Sequence, residues 1–202
     1  MKKIFRIDDE AVIHGLLDRL EYGTLALCDA GEPYSVPLNF VRLGERLCFH
    51  GSPAGRKMRA LARHPRGSFS AVEPYALIPS TFSSDGGLAC PATQFFLSVT
   101  AEGPIVLVED PEEKAKILGE LMAKLQPEGG YRPLEEEIYR KSLERTALFC
   151  LQMERLGAKA KAGQNLSPER FGRIVEHLER RDGPRDRETL RLMRVLREES
   201  HG

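Results

Sequence analysis

A short stretch of this 202-residue chain combines the residue types that bind anions. Ser52 and Pro53 are typical of a helix start, because Ser is a favoured N-cap and Pro a favoured first helical residue. Gly55, Arg56 and Lys57 follow in the predicted first turn, where the helix dipole disfavours cations. Free backbone N–H groups and two convergent cations predict an anion site, with phosphate as the usual anion. The alternative is an ordinary solvated helix face.

Two predicted strands lead into this helix start. Residues 34–40 alternate apolar and polar side chains, the pattern of a strand buried on one face. Pro37 interrupts that strand and removes a ladder donor, which favours an edge or irregular strand at a site. After a turn at Gly44 the chain returns, and His50 ends the second strand beside the predicted anion site. A lone strand-end histidine is usually structural, but with a pKa near ~6.5 it could also donate a proton to a substrate.

The four cysteines are scattered and include no C-x-x-C pair: Cys28, Cys48, Cys90 and Cys150. Their spacing predicts neither a zinc site nor a disulfide framework. A reducing cytoplasm is therefore the expected compartment. Cys90 follows a Gly-rich segment and is predicted to be a buried, inert thiol.

Composition limits the function classes. The chain holds 30 basic and 30 acidic residues, so no global charge favours nucleic acid, and no metal cluster is predicted. No stretch is long and apolar enough to span a membrane, and no signal peptide is recognisable. We expect a soluble cytoplasmic protein without nucleic-acid or membrane partners.

The order of elements predicts an α+β fold. About six short strands succeed one another, mostly through tight turns, with helices at the margins. This order favours a six-stranded antiparallel split β-barrel with peripheral helices. The Pro-, Ser- and Gly-rich segment 73–87 is predicted to be a long loop. Residues 104–108 are predicted to continue the 93–103 strand after a bend, and 134–141 and 146–156 to form a short helix and a strand.

The end of the chain differs in character. Residues 168–181 and 185–199 are Arg- and Glu-rich and carry narrow apolar stripes, which predicts a C-terminal antiparallel helical hairpin that packs on the barrel or on a second subunit. We expect a domain at residues 1–160 and a helical extension at 161–202.

Several pieces of sequence together resemble a known family. V-P-L-N-F-V, C-F-H-G-S, G-R-K-M-R-A-L, F-L-S-V-T-A-E-G and E-D-P-E-E-K occur in this order within residues 24–125. The succession resembles the FMN-binding split barrels related to pyridoxamine 5′-phosphate oxidase, and looks closest to the nitroimidazole-resistance branch. The chain has no Trp and lacks the oxidase's C-terminal Trp- and Arg-containing segment, which argues against pyridoxamine phosphate as substrate.

The resemblance implies a homodimer with FMN in a groove between the subunits. By position, the 36–39 strand would contact the flavin ring, His50 and Gly51 the ring and ribityl chain, and Arg56 and Lys57 the phosphate. The full set of implied cofactor contacts is Val36, Pro37, Leu38, Asn39, His50, Gly51, Ser52, Arg56, Lys57 and Ser98, with His50 as the candidate catalytic residue.

Two functions from different classes remain open at this point. The first is an FMN-dependent oxidoreductase that passes electrons from NADH or NADPH to a small acceptor such as a nitro compound. The second is a non-catalytic flavin- or haem-binding module or sensor, in which His50 would be a haem ligand.

Overall fold

The computed structural model describes residues 3–83 and 86–199 and has an α+β architecture built on antiparallel strand pairs. The strands of the described residues are β1 Arg6–Ile7, β2 Tyr22–Asp29, β3 Glu32–Asn39, β4 Val41–Leu43, β5 Arg46–Gly51, β6 Arg66–Ile78, β7 Thr93–Val108, β8 Ala147–Gln152 and β9 Arg155–Lys161. The α-helices are α1 Glu10–Arg19, α2 Arg56–Arg63, α3 Pro111–Leu125, α4 Arg140–Glu144, α5 Pro168–Arg181 and α6 Asp186–Glu199. The predicted α+β class is confirmed.

The chain forms two compact units. The larger comprises residues 9–71 and 99–157, and the smaller comprises residues 1–8, 72–98 and 158–202. The α5–α6 hairpin thus belongs to the same unit as residues 72–98. The domain boundary expected after residue 160 divides the chain differently and stays a prediction.

Residues that alternate between buried and exposed along the strands build the core of the larger unit. The strand order is β3-β2-β6-β7-β8-β5-β4, so β3 and β4 are the ends of this path. Four fully buried rings pack together in the core, with Phe40 and Phe69 at 4.7 Å and Phe49 and Phe149 at 5.5 Å between centroids. Edge-to-face and offset contacts of this kind add stability beyond the buried area. These rings fix the end of β5, where His50 lies.

The helical hairpin supplies the core of the smaller unit. Ile174 and Leu178 of α5 and Met193 of α6 are buried in one cluster with Phe95 of β7. The narrow apolar stripes of α5 and α6 were predicted to need a partner surface, and they find it within this unit of the same chain. Asp186 begins α6 and is 2% exposed, and its carboxylate is paired with Arg181 of α5.

Several predicted boundaries were wrong. Strand β6 continues to Ile78, well into the segment predicted as a loop, and Ala76 N donates to Thr189 Oγ1 at 2.9 Å. That partner is 113 residues away, so no local pattern reveals it.

The predicted 146–156 strand is two strands, β8 and β9, separated by a reversal at 153–154. A short helix was predicted at 134–141. The structure instead has a 3₁₀ turn at Glu137–Tyr139, followed by an α-helix at 140–144. The described residues therefore hold nine strands rather than six, two of which have three residues or fewer.

The cysteine prediction was also wrong. Cys48 and Cys150 are directly opposed on β5 and β8 and form a disulfide with a Cα–Cα distance of 4.1 Å. A pair separated by 102 residues meets only through strand register, which cysteine spacing does not reveal. Cys90 is exposed rather than buried, and Cys28 is half-buried. The expected cytoplasmic location rested partly on the cysteine pattern and stays a prediction.

Candidate functional site

The helix that carries the predicted anion site begins later than expected. Helix α2 starts at Arg56, and its N-cap is Gly55 rather than Ser52. Gly55 has a φ of 105°, a conformation that favours glycine and turns the chain into the helix. Ser52 Oγ instead accepts a hydrogen bond from Ala54 N at 3.3 Å, closing a local turn before the helix. Arg56 and Lys57 are therefore the first two helical residues, beside free backbone N–H groups.

The two cations do not converge on one point, which corrects the predicted clamp. Arg56 Nε lies 3.0 Å from Asp29 Oδ2, and its guanidinium lies 4.7 Å from the centroid of the Tyr34 ring. Arg63 pairs with the other Asp29 oxygen at 3.1 Å. The hydrogen bond from Arg56 lowers the pKa of Asp29. Arg56 is thus already engaged by a carboxylate on β2.

Lys57 points elsewhere and is the unpaired cation of the site. Its Nζ lies 5.0 Å from the centroid of the Phe149 ring and close enough to Gly51 that a Cβ there would collide with it. Burial lowers the pKa of Lys57. No carboxylate pairs with it within residues 3–83 and 86–199. A half-buried ammonium without a counter-ion is suited to bind a ligand's anionic group.

His50 lies on β5 opposite Leu148 of β8. The residue is exposed at the surface, yet partial burial of the ring and then the positive charge of Lys57 lower the pKa of His50. The imidazole is therefore mainly neutral at pH 7. A neutral ring can donate a hydrogen bond or bind a metal through a nitrogen, but it is a weaker proton source than a histidine with an unshifted pKa.

The β3 residues show the predicted alternation. Val36 and Leu38 are half-buried, whereas Pro37 and Asn39 are exposed. β3 ends the strand order, which agrees with Pro37 in an edge strand. Asn39 Nδ2 donates to the carbonyl of Glu21 at 3.1 Å, so this amide is held at the start of the β2–β3 pair.

Ser98 is the one predicted site residue outside the larger unit. It lies half-buried on the part of β7 that belongs to the smaller unit. The other predicted residues all lie in the larger unit, with Gly51 and Lys57 in direct proximity and Arg56 against Tyr34 of β3. Sequence reasoning missed Asp29, because its pairing with Arg56 depends on strand and helix packing across 27 residues.

Comparison with known proteins identifies the family to which the chain belongs. A family model described as pyridoxamine 5′-phosphate oxidase matches residues 9–160. The chain belongs to this family, which includes flavin-dependent oxidoreductases, and the expected resemblance is confirmed. No curated protein sequence matches the chain significantly.

Solved structures share the fold. The flavocytochrome Anf3 from Azotobacter vinelandii is 24% identical with a TM-score of 0.69, covering 85% of this chain and 78% of that one. The FAD and heme binding protein from Mycobacterium smegmatis is 21% identical with a TM-score of 0.65, covering 83% and 78%. A putative 5-nitroimidazole antibiotic resistance protein from Bacteroides thetaiotaomicron is 19% identical with a TM-score of 0.63, covering 76% and 85%.

Neither a metal-binding cluster nor a membrane-spanning helix occurs in the part of the chain that the structure describes. No group of three or more His, Cys, Asp or Glu side chains there could hold a metal ion. None of its helices has the length and apolar character needed to cross a bilayer.

Proposed function

We propose that the protein is an FMN-dependent oxidoreductase that passes electrons from NADH or NADPH to a small acceptor such as a nitro compound. The observation that carries the proposal is the unpaired ammonium of Lys57 beside Gly51, at the start of α2 and next to His50. Membership of a family with flavin-dependent oxidoreductases supports it.

The residues at the start of α2 fit a flavin phosphate. Lys57 Nζ supplies a charge, and the first backbone N–H groups of the helix lack intrahelical acceptors and supply further donors. Gly51 has no side chain, and the ammonium occupies the space that a Cβ at this position would take. Arg56 would contribute a second charge only by sharing its guanidinium with Asp29. We therefore assign the larger part of phosphate recognition to Lys57.

The remaining predicted residues would orient the ring. We propose that the β3 segment Val36–Asn39, with Gly51, Ser52 and Ser98, contacts the cofactor as the family resemblance implies. When bound, FMN supplies the electron-transfer chemistry, and the protein binds and positions it. His50, neutral at pH 7, would hydrogen-bond the cofactor or substrate from the strand end, and its catalytic role is part of the proposal.

We also propose that the protein acts as a homodimer. The family resemblance implies a dimer, and exposed apolar residues such as Val106 of β7, 52% exposed in the single chain, would be available to the contact. Light scattering of the purified protein tests this, since a dimer has twice the 22.6 kDa mass of the chain. A monomer at micromolar concentration would contradict the dimer.

A non-catalytic flavin- or haem-binding module is the second candidate. The lowered pKa of His50 favours it, because a neutral imidazole nitrogen is the form that ligates haem iron. Two of the proteins that share the fold are a flavocytochrome and a heme binding protein by name.

The visible absorption spectrum of the purified protein separates these candidates. We expect flavin bands and release of FMN on denaturation, whereas a haem Soret band without flavin would favour the module. Anaerobic reduction of the bound flavin by NADH or NADPH, followed by reoxidation with a nitroimidazole, then distinguishes an enzyme from a store. Absence of both flavin and haem after reconstitution would overturn both candidates.

A further inference from the structure

A cavity lies entirely within the smaller unit, and none of the residues assigned above lines it. Its volume is about 260 Å³, and it is formed where the β9–α5 corner meets the start of β7. Two cationic side chains line it, Lys161 from the end of β9 and Arg170 from the first turn of α5. No carboxylate among the described residues pairs with either of them.

Residues with neutral hydrogen-bonding side chains also line the cavity. They are Ser83, Thr93 and Asn165. Lys161 Nζ donates to Thr93 Oγ1, which holds the ammonium at the wall. Phe95 and Ile174, both 1% exposed in the protein, add apolar side chains to the lining.

The corner that carries this cavity is built rigidly. Gln164 is 4% exposed, and its side chain makes three hydrogen bonds, accepting from Ala162 N at 2.9 Å and donating to Ala160 O at 3.0 Å and to Ile4 O at 3.2 Å. Gly163 has a φ of 83°, and a Cβ there would lie 3.2 Å from Phe95. None of these contacts uses the side chain of Lys161 or Arg170, so the corner is held by other residues.

The start of α5 does not explain the cations either. Ser167 already caps the helix, accepting from Arg170 N at 3.4 Å. A positive side chain in a first turn is disfavoured by the helix dipole, so Arg170 has no local stabilising role there. The arginine fork and the lysine charge match a tetrahedral anion with several acceptor oxygens.

We propose that this cavity binds a small phosphate monoester, with its phosphate on Lys161 and Arg170 and its carbon body against Phe95 and Ile174. A volume of about 260 Å³ lies just below the usual range of ligand pockets, which excludes a whole dinucleotide and suits a phosphate with a short attached group. The proposal does not depend on flavin binding by the larger unit.

Amide chemical shifts of the full-length, ¹⁵N-labelled protein test the proposal during titration with methyl phosphate at constant ionic strength. We expect saturable shifts at Thr93, Gly163 and Asn165. Shifts confined to Gly51 and Arg56 would report the phosphate site proposed on α2 and would overturn the second site alone. Flavin-free and flavin-loaded protein should give the same result at the smaller unit.

Matched variants make the result specific. Arg170→Gln and Lys161→Gln should each weaken methyl phosphate binding about tenfold or more, the loss expected for one charge-assisted hydrogen bond. Arg180→Gln removes an exposed cation from the other end of the same helix and should leave the affinity unchanged. Equal binding by all variants, equal shifts with chloride, or tighter binding of succinate than of methyl phosphate would overturn the assignment.

Discussion

The guanidinium of Arg56 lies against the carboxylate of Asp29, with Nε 3.0 Å from Oδ2, while its neighbour Lys57 has no acidic partner in the described chain. Two adjacent cations that look equivalent in sequence therefore have different surroundings. Arg56 is paired with a carboxylate on β2, whereas the charge of Lys57 is available to the ligand that we propose.

Removal of the Asp29 charge should strengthen phosphate recognition. Asp29→Asn leaves Arg56 without a competing carboxylate, so we expect FMN to bind more tightly by about two- to fivefold, the range set by an exposed ion pair. Riboflavin, which lacks the phosphate, should bind as it does to the wild type. Fluorescence titration of both ligands measures this. Weaker FMN binding would show instead that Asp29 positions Arg56 for the ligand.

The pKa of His50 should depend on Lys57. Burial is the larger cause of its lowered pKa and the Lys57 charge the second, so Lys57→Met should raise the pKa of His50 while leaving it below 6.5. NMR titration of the His50 ring, assigned with His50→Gln, measures both values. Between the folded pKa and 6.5 the unfolded chain binds more protons, so this group lowers stability as pH falls through that window. An unchanged pKa in Lys57→Met would contradict the placement of the ammonium.

Lys124 should make stability depend on alkaline pH. Its Nζ lies 3.9 Å from the Phe40 ring centroid and donates to the carbonyls of Leu17 and Phe40 at 3.0 Å each, and burial lowers the pKa of Lys124 from 10.5 to about 8. Above about pH 8 the unfolded chain keeps this proton longer than the folded protein. This group therefore raises the free energy of unfolding as pH increases from 8 towards 10.5.

Urea unfolding at pH 8 and pH 10 measures this contribution. Lys124→Met should remove the rise, whereas Lys116→Met, an exposed lysine on the same helix, should keep it. Identical pH dependence in the wild type and Lys124→Met would refute the lowered pKa.

Counting the free thiols tests the Cys48–Cys150 disulfide. Iodoacetamide applied to the denatured but unreduced protein should modify two cysteines, Cys28 and Cys90, and all four after reduction. Because the bond closes a long loop, its reduction should lower the free energy of unfolding by about 2–4 kcal/mol. Cys90→Ser should leave stability unchanged. Four modified cysteines without reduction would show that the bond does not form.

Local signals were sufficient for most helices. Asp9, Asp110 and Ser167 each precede a periodic apolar pattern, and each accepts a hydrogen bond from the first turn of its helix, as is typical of these residue types at N-caps. The 168–181 helix has the predicted bounds. The same rule failed at Ser52, because Gly55 adopts a positive φ and takes the cap position.

Contacts between residues far apart in the chain could not be predicted from the sequence. The contact of Arg56 with Asp29, the disulfide and the Thr189 bond that extends β6 join residues 27 to 113 positions apart. Each depends on register or packing, which neither spacing nor composition encodes. The sequence therefore predicted that Arg56 and Lys57 lie in the first turn of a helix, but not that Arg56 pairs with Asp29 while Lys57 lies over the Phe149 ring.

The difference between FMN and riboflavin affinities tests the central proposal, that Lys57 recognises a flavin phosphate, most directly. Wild-type protein should bind FMN at least about tenfold more tightly than riboflavin, as expected for one charge-assisted hydrogen bond to the phosphate. Lys57→Ala should remove most of that difference, while Arg59→Ala, an exposed cation two residues along the same helix, should retain it. Equal affinities in the wild type, or a difference that survives in Lys57→Ala, would contradict the proposal.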